Sequence, residues 1–188
     1  ILAVWQPLSG SVLGGASPGT YIRDFDGAPK ILTWYPVALA EKIAGEEFNE
    51  TDEPDIFAQF NSSFANWSFR TDGVPVSQKT DLVSVVLHEI GHGLGIIKGY
   101  DVSGSEGVIS DFFSDLHVPY DYFLENTSDL NLVQGFTPPS ASLRAELTSN
   151  ALLFISPLLS KTPIDNRVKV FAPSTFASGS SIAHLDET

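Results

Sequence analysis

The sequence contains no cysteine and no methionine, and only four of its 188 residues are histidine. Without thiolates, a zinc site of the cysteine-rich kind is excluded, so any zinc site must use imidazole and carboxylate ligands. The absence of cysteine does not indicate a cellular compartment. Because methionine is missing, the chain does not start at an initiator, and we expect a processed product or an excised domain.

Basic residues are also scarce. Ten lysines and arginines stand against 23 aspartates and glutamates, which gives a net charge of −13. This balance argues against nucleic acid as a partner, because phosphate binding needs a basic face. No apolar run approaches the length of a transmembrane helix, so no membrane partner is expected. The apolar content of 43% is typical of a globular protein with a proper core.

Residues 88–92 read His-Glu-Ile-Gly-His, an H-E-x-x-H motif. On a helix, residues four apart lie on one face, so His88 and His92 can offer two imidazoles to one metal ion. Glu89 can then reach a water on that metal and act as a general base. The motif therefore predicts a zinc site with His88 and His92 as ligands and Glu89 as the catalytic residue.

The surroundings of the motif favour a helix. Thr80 or Asp81 is suited to cap its first turn, and a broad apolar stripe follows. Gly93 and Gly95 suit the end of the helix. A chance match would not be expected to have this context, so we favour a functional motif over a buried helix with two satisfied histidines.

The motif resembles the metzincin pattern of zinc metallopeptidases, H-E-x-x-H-x-x-G-x-x-H, and Gly95 stands at the glycine of that pattern. The third histidine of the pattern would be residue 98, where this sequence has Lys98. A protonated ammonium has no lone pair for a metal and is repelled by a dication. The third ligand must therefore come from elsewhere in the chain.

Leishmanolysin-like peptidases, which have a long insertion before the third histidine, are similar to this chain over residues 81–96 and 178–187. The second segment also resembles the Gly-Ser-Ser-x-x-His-Leu element of secreted bacterial proteins that share the HEIGHGLG helix. The resemblance implies His184 as the third zinc ligand. His117 or a carboxylate remains an alternative, since histidine and aspartate both serve in this position; the candidate carboxylates are Asp111, Asp115 and Asp121. The methionine turn of these peptidases is absent.

We expect an α+β, zincin-like fold, with a twisted mixed sheet packed on the active-site helix. An N-terminal lobe of about residues 1–97 and a less regular C-terminal lobe of about residues 98–188 would form one metallopeptidase catalytic domain. Local patterns predict the following elements: strands at 31–35, 56–60, 67–69, 152–155 and 168–171, helices at 36–44, 108–116 and 142–150, and a mobile loop at 99–107. The resemblance implies that the strand just before the helix, 67–69, pairs with extended substrate.

Taken together, these features predict a secreted, monomeric zinc endopeptidase that acts on a protein or peptide substrate. A metal-binding or adhesion module without catalysis is the alternative, supported by Lys98 and by the missing methionine turn. A zinc hydrolase with another kind of substrate also fits the motif. The acidic segment 46–55 predicts a solvated loop, with a calcium site as the minority interpretation because its spacing is irregular.

Four N-x-[ST] sequons occur, at Asn49, Asn61, Asn66 and Asn126. In a chain this rich in serine, threonine and asparagine, we interpret most of them as chance, with a hint of an extracellular protein.

Overall fold

The computed structural model describes residues 1–158 and 167–186. Residues 159–166 and 187–188, which fall in the predicted second lobe, lie outside the described residues. The chain divides into two compact units. The first comprises residues 1–31 and 35–96, and the second comprises residues 32–34 and the chain from residue 97 onwards.

The elements of the first unit are β1 Leu2–Gln6, β2 Gly14–Pro18, β3 Tyr21–Ile22, β4 Tyr35–Pro36, α1 Val37–Ala44, β5 Ile56–Asn61, β6 Trp67–Ser68, β7 Thr80–Asp81 and α2 Leu82–Leu94. The described elements of the second unit are β8 Tyr100–Ser103, β9 Glu106–Ile109, β10 Leu124–Glu125, α3 Leu132–Gly135, α4 Ala141–Leu147, β11 Leu153–Ile155 and β12 Arg167–Lys169. Two 3₁₀ turns, Asp111–Phe113 and Pro119–Phe123, also belong to the second unit. Among the described residues, no helix has the length and apolar character needed to cross a membrane.

Three strands of the first unit form a mixed sheet in the order β1-β5-β2, with β1 parallel and β2 antiparallel to β5. Side chains of β5 alternate between the two faces of this sheet. Ile56, Ala58 and Phe60 are buried, whereas Phe57 is 43% exposed. Helix α2 packs on the buried face, where Gly93 lies against Ile56. The α+β class and the mixed sheet packed on the helix are therefore confirmed.

Gly93 permits a close approach between α2 and the sheet. A Cβ atom at this position would lie 2.3 Å from Cγ2 of Ile56. Ile56 is β-branched and only 2% exposed, so it has little freedom to move aside. The closeness of helix and sheet therefore depends on the missing side chain.

The second unit opens with a hairpin of β8 and β9. Gly104, the first of the two residues in its turn, has a φ of +56°, as a tight two-residue hairpin requires. Helix α4 is joined to this hairpin by two backbone hydrogen bonds, from the Gly107 amide to the Ser140 carbonyl (2.8 Å) and from the Ser140 amide to the Gly107 carbonyl (3.0 Å). Strands β10, β11 and β12 form a separate antiparallel sheet.

Several sequence predictions about local structure are confirmed. Helices α1 and α4 lie at the helices predicted for 36–44 and 142–150; α1 ends at Gly45, whose φ is +75°, and Ser140 caps α4 by accepting a hydrogen bond from the Leu143 amide (3.2 Å). Strands β5, β11 and β12 lie where apolar runs predicted them. Segment 67–69 contains the short strand β6, but β6 pairs with β7 and does not extend the mixed sheet.

Three predictions are wrong. Segments 99–107 and 108–116 form the β8–β9 hairpin and a 3₁₀ turn, because Gly104 closes a tight turn that pairs the apolar residues on either side. The strand predicted at 31–35 is also absent, since Leu32 has a φ of +53° and only Tyr35–Pro36 pairs as a strand. Residues 32–34 belong instead to the second unit, where the Trp34 amide donates to the His117 carbonyl (2.9 Å).

We expect Gly93→Ala to lower the free energy of unfolding by about 1–3 kcal/mol, because the added methyl overpacks the contact with Ile56. Gly91→Ala, two residues earlier on α2, is the matched control. Its Cβ would meet only the flexible end of Ile96 at 3.3 Å, and alanine favours a helix by up to about 1 kcal/mol. Urea unfolding of the zinc-free proteins measures both changes. Equal stabilities of the two variants would contradict the close approach.

Candidate metal centre

Helix α2 presents the three residues of the motif. Its first turn is capped by Asp81, whose carboxylate accepts hydrogen bonds from the Ser84 amide (2.8 Å) and the Ser84 hydroxyl (2.8 Å). It ends at Gly95, with a φ of +121° and an amide that donates to the His92 carbonyl (3.1 Å). The cap predicted at Asp81 and the stop predicted at Gly95 are confirmed.

The imidazoles of His88 and His92 converge. Their Nε2 atoms lie 3.0 Å apart, and the ring planes meet at 86°. In a tetrahedral zinc site with Zn–N bonds of about 2.0–2.1 Å, two ligand nitrogens lie about 3.3 Å apart. The separation in α2 is therefore close to that of two ligands on one zinc ion.

The other ring nitrogen of His92 fixes its tautomer. Nδ1 lies 2.7 Å from the carbonyl oxygen of Ile96, and since a carbonyl only accepts, Nδ1 must carry the hydrogen. The neutral ring then has a lone pair on Nε2, facing His88. Hydrogen bonding of one ring nitrogen to a carbonyl is the usual means of orienting a metal-ligating histidine. The donor set therefore fits a metal such as zinc.

Glu89 lies on the side of α2 that faces the sheet and is only 6% exposed. It packs against Gly14 of β2, where a Cβ atom would lie 3.2 Å from Cγ and Oε1 of Glu89. The same Cβ would lie 3.0 Å from the backbone oxygen of Gln59. The missing side chain at Gly14 therefore makes room for the Glu89 carboxylate.

His184 belongs to the second unit and has the same tautomer as His92. Its Nδ1 lies 2.8 Å from the carbonyl oxygen of Ser180, so Nδ1–H donates and Nε2 keeps its lone pair. The turn before it is held by Ser181, whose hydroxyl accepts from the Ala177 amide (2.9 Å). On the other side, the Phe171 amide donates to the carbonyl of His184 (2.8 Å). The His184 imidazole is therefore oriented by the fold of the second unit.

The alternative third ligands have other surroundings. Asp121 is fully buried and accepts hydrogen bonds from the amides of Gly99 (2.8 Å) and Val118 (3.1 Å). Its Oδ2 also lies 3.3 Å from Nδ1 of His117. These contacts tie Asp121 to its own backbone surroundings, as expected for a structural residue. Two further candidate carboxylates are exposed on the surface, Asp111 and Asp115.

Tyrosines surround the pair of His117 and Asp121. The Tyr100 ring lies edge-on to His117, with the two centroids 5.4 Å apart. Burial raises the pKa of the Tyr100 hydroxyl, and the nearby charges of Asp121 and Tyr122 raise it further. Burial likewise raises the pKa of Tyr120, whose hydroxyl donates to the carbonyl of Ile182 (2.8 Å). Both tyrosines are therefore neutral members of the core.

Lys98, at the third-histidine position of the compact metzincin pattern, has partners in the second unit. Its ammonium donates to the Tyr100 carbonyl (3.3 Å), pairs with Asp101 (3.5 Å) and lies 4.9 Å from the centroid of the Phe176 ring. These contacts are those of a cation in a structural role. They agree with the expectation that Lys98 is no ligand.

A second group of side chains in the first unit could hold a cation. Glu41, Glu47 and Asp55 each offer a carboxylate oxygen, and these oxygens lie within 4.8 Å of one another. Two of them already accept hydrogen bonds, Glu41 from the Phe48 amide (3.0 Å) and Asp55 from the Asn49 side chain (3.0 Å). Clusters of this kind are common on acidic surfaces, so calcium here stays a prediction.

An open groove of about 440 Å³ lies on the mixed sheet and is lined by Leu2, Val4, Gly15, Ala16, Ser17, Phe57, Ala58 and Gln59. Phe57 opens into it, whereas α2 packs on the opposite face, against Ile56. The largest side chains of the groove are thus on the face that does not carry Glu89. We therefore assign it no part in the chemistry of the motif.

Comparison with protein families gives a match to the SPBPB7E8-like family over residues 6–134, more than two thirds of the chain. The chain belongs to the SPBPB7E8-like family. The matched region of this SPBPB7E8-like protein includes His88, Glu89 and His92 and ends before His184. No curated protein and no solved structure matches it significantly.

We expect the neutral imidazoles of His92 and His184 to be protonated on Nδ1 in the zinc-free protein, because each Nδ1 faces a carbonyl oxygen. Long-range ¹H–¹⁵N correlation spectra above pH 8 distinguish the two tautomers by the ¹⁵N shifts of Nδ1 and Nε2. His92→Gln and His184→Gln serve to assign the signals. A ring protonated on Nε2 at either position would contradict the geometry.

Proposed function

We propose that this SPBPB7E8-like protein is a zinc-dependent endopeptidase in which His88, His92 and His184 hold the metal and Glu89 is the general base. The observation that carries the proposal is the convergence of two Nε2 atoms, 3.0 Å apart, beside a buried glutamate on one helix. This arrangement has the donor spacing, the tautomer of His92 and the neighbouring carboxylate that a hydrolytic zinc site needs.

His184 is proposed as the third ligand for two reasons. Its Nδ1–H is engaged by a backbone carbonyl, as in His92, so its Nε2 is available to a metal. The resemblance of segment 178–187 to the corresponding element of leishmanolysin-like peptidases and secreted bacterial proteins also implies this role for His184. Asp121 and His117, by contrast, are engaged with each other and with neighbouring backbone in the second unit.

In the proposed mechanism, Glu89 takes a proton from the attacking water and returns it to the leaving amine. Bound zinc would lower the pKa of that water and polarise the scissile carbonyl. Burial of Glu89 against Gly14 limits the positions that its carboxylate can adopt. The histidine ligands would be neutral, with His92 and His184 oriented by backbone carbonyls.

For substrate binding, we propose strand β2 in place of the segment 67–69 that the resemblance implied. β2 is an edge strand of the mixed sheet, and its Gly14 contacts Glu89. An extended peptide can add to such an edge by main-chain hydrogen bonds, which suits a protease that accepts varied sequences. β6 is less suited, since it pairs with β7 and lies outside this sheet.

The zincin-like fold, the single catalytic domain, the monomeric state and the extracellular location are parts of the same proposal. Their support is the resemblance of segments 81–96 and 178–187 to secreted metallopeptidases. The N-x-[ST] sequons add little support for the extracellular location. Asn61 is only 2% exposed and Asn126 only 9% exposed, so neither is accessible to glycosylation in the folded protein, whereas Asn66 lies on the surface.

The alternative function, a metal-binding or adhesion module without catalysis, keeps one specific support. Lys98 stands at the third-histidine position and is engaged in structural contacts of the second unit. Such a module would bind zinc and cleave nothing.

We expect Glu89→Gln to lower kcat/KM on casein or a quenched peptide by about 10²–10⁴-fold, the usual contribution of general acid–base catalysis. Zinc content should stay at the wild-type value, because Glu89 is not a ligand. Glu50→Gln, which changes an exposed glutamate of the acidic loop, should retain full activity. Wild-type activity that survives chelation, or cleavage by Glu89→Gln at the wild-type rate, would refute the peptidase. Bound zinc without cleavage of any substrate would favour the module.

We expect His184→Ala to weaken zinc binding by at least about 100-fold, beyond the 10- to 100-fold loss typical of an outer-shell change. His117→Ala, the matched control, should bind zinc as tightly as the wild type because the His117 imidazole contacts Asp121. Competition with a chromogenic chelator measures both dissociation constants. If His117→Ala weakens zinc binding and His184→Ala does not, His117 is the third ligand. If neither variant weakens zinc binding, the third ligand is a carboxylate.

A further inference from the structure

Lys98 is held in one place by three contacts within the second unit. Its side chain is only 15% exposed, and the ammonium meets the Tyr100 carbonyl, the Asp101 carboxylate and the face of the Phe176 ring. A cation–π contact becomes stronger when the cation is withdrawn from water. The first two contacts fix the ammonium on the β8 strand, so the third fixes Phe176 against this strand.

Phe176 directly precedes the turn that orients His184. The carbonyl of the next residue, Ala177, accepts hydrogen bonds from the amides of Ser180 (3.0 Å) and Ser181 (2.8 Å). Ser180 in turn offers its own carbonyl to Nδ1 of His184 (2.8 Å). A short chain of contacts therefore leads from the ammonium of Lys98 to the imidazole of His184.

The far end of the same turn is anchored independently. Ile182 is fully buried, and its carbonyl accepts the hydroxyl of Tyr120 (2.8 Å). Leu185 forms a β-bridge with Val170. The entrance of the turn, by contrast, is exposed at Ser178 and Gly179. Among the described contacts, two side chains anchor this entrance: the Ser181 hydroxyl, which accepts from the Ala177 amide (2.9 Å), and the Phe176 ring, which lies against Lys98.

We propose that Lys98 is a positioning residue for His184. It acts through Phe176 and the 177–181 turn to hold the Nδ1 acceptor, the Ser180 carbonyl, in place. The inference rests on the proposed function, in which His184 is the third zinc ligand. The residue at the position where the compact pattern has its third histidine would then support the replacement ligand without binding the metal.

The test compares Lys98→Met, which keeps the aliphatic stem and loses the charge, with Lys98→Arg, which keeps a cation over the ring. We expect Lys98→Met to weaken zinc binding by about 3- to 30-fold, the range of a cation–π contact. Lys98→Arg should stay within about twofold of the wild type, since arginine makes the same contact. In a His184→Ala background, Lys98→Met should cause no further loss.

The His184 ring signals of the zinc-free protein provide a second measurement. Lys98→Met should shift and broaden them, and leave those of His92 unchanged. Zinc binding by Lys98→Met equal to that of the wild type would overturn the proposal. The proposal would also be overturned if Lys98→Met weakened zinc binding equally in the wild-type and His184→Ala backgrounds, which would indicate a general loss of structure. If wild-type protein binds no zinc, the proposed function fails, and the ring signals alone then decide: an unaltered His184 signal in Lys98→Met refutes the positioning role.

Discussion

The candidate centre depends on the 3.0 Å approach of two imidazole nitrogens on one turn of α2. Two lone pairs at this distance repel each other unless a proton or a cation lies between them. Because the carbonyl of Ile96 fixes the hydrogen of His92 on Nδ1, the lone pair of its Nε2 faces His88. A proton on Nε2 of His88 completes a hydrogen bond between the two rings, and a metal dication in its place would accept both lone pairs.

Two glycines let this helix lie close to the mixed sheet, and each serves a different purpose. At Gly93, any side chain would overlap Ile56, so the glycine allows the close distance between α2 and the sheet. Gly14 has no side chain on β2, which leaves space for the Glu89 carboxylate. Burial of an ionisable side chain costs free energy. That cost is tolerated where the surroundings hold the side chain in a position that is useful for function. The packing of α2 and the placement of Glu89 are thus parts of one arrangement.

Prediction from the sequence succeeded where the signal was local. The cap of α2 is predicted at Thr80 or Asp81, and the structure has it at Asp81, because a capping side chain bonds an amide three residues away. Prediction failed where backbone pairing between separate segments decided the structure. The sequence pattern predicts a loop and then a helix where the β8–β9 hairpin lies, although Gly104 is a turn signal within that segment. Residues 32–34 could not be assigned to the second unit, since their partner His117 is more than 80 residues away.

The sequence by itself determined helix α2, its two ends, and the spacing of His88, Glu89 and His92, because helical periodicity alone brings residues four apart together. It also excluded thiolate ligands and made Lys98 unfit to bind a metal. Only the tertiary structure decided which carbonyl orients each imidazole, where Glu89 is buried, and what Lys98 contacts. These features depend on groups brought together by packing. His184 lies 92 residues beyond His92, and no local pattern in the intervening chain fixes the orientation of its ring.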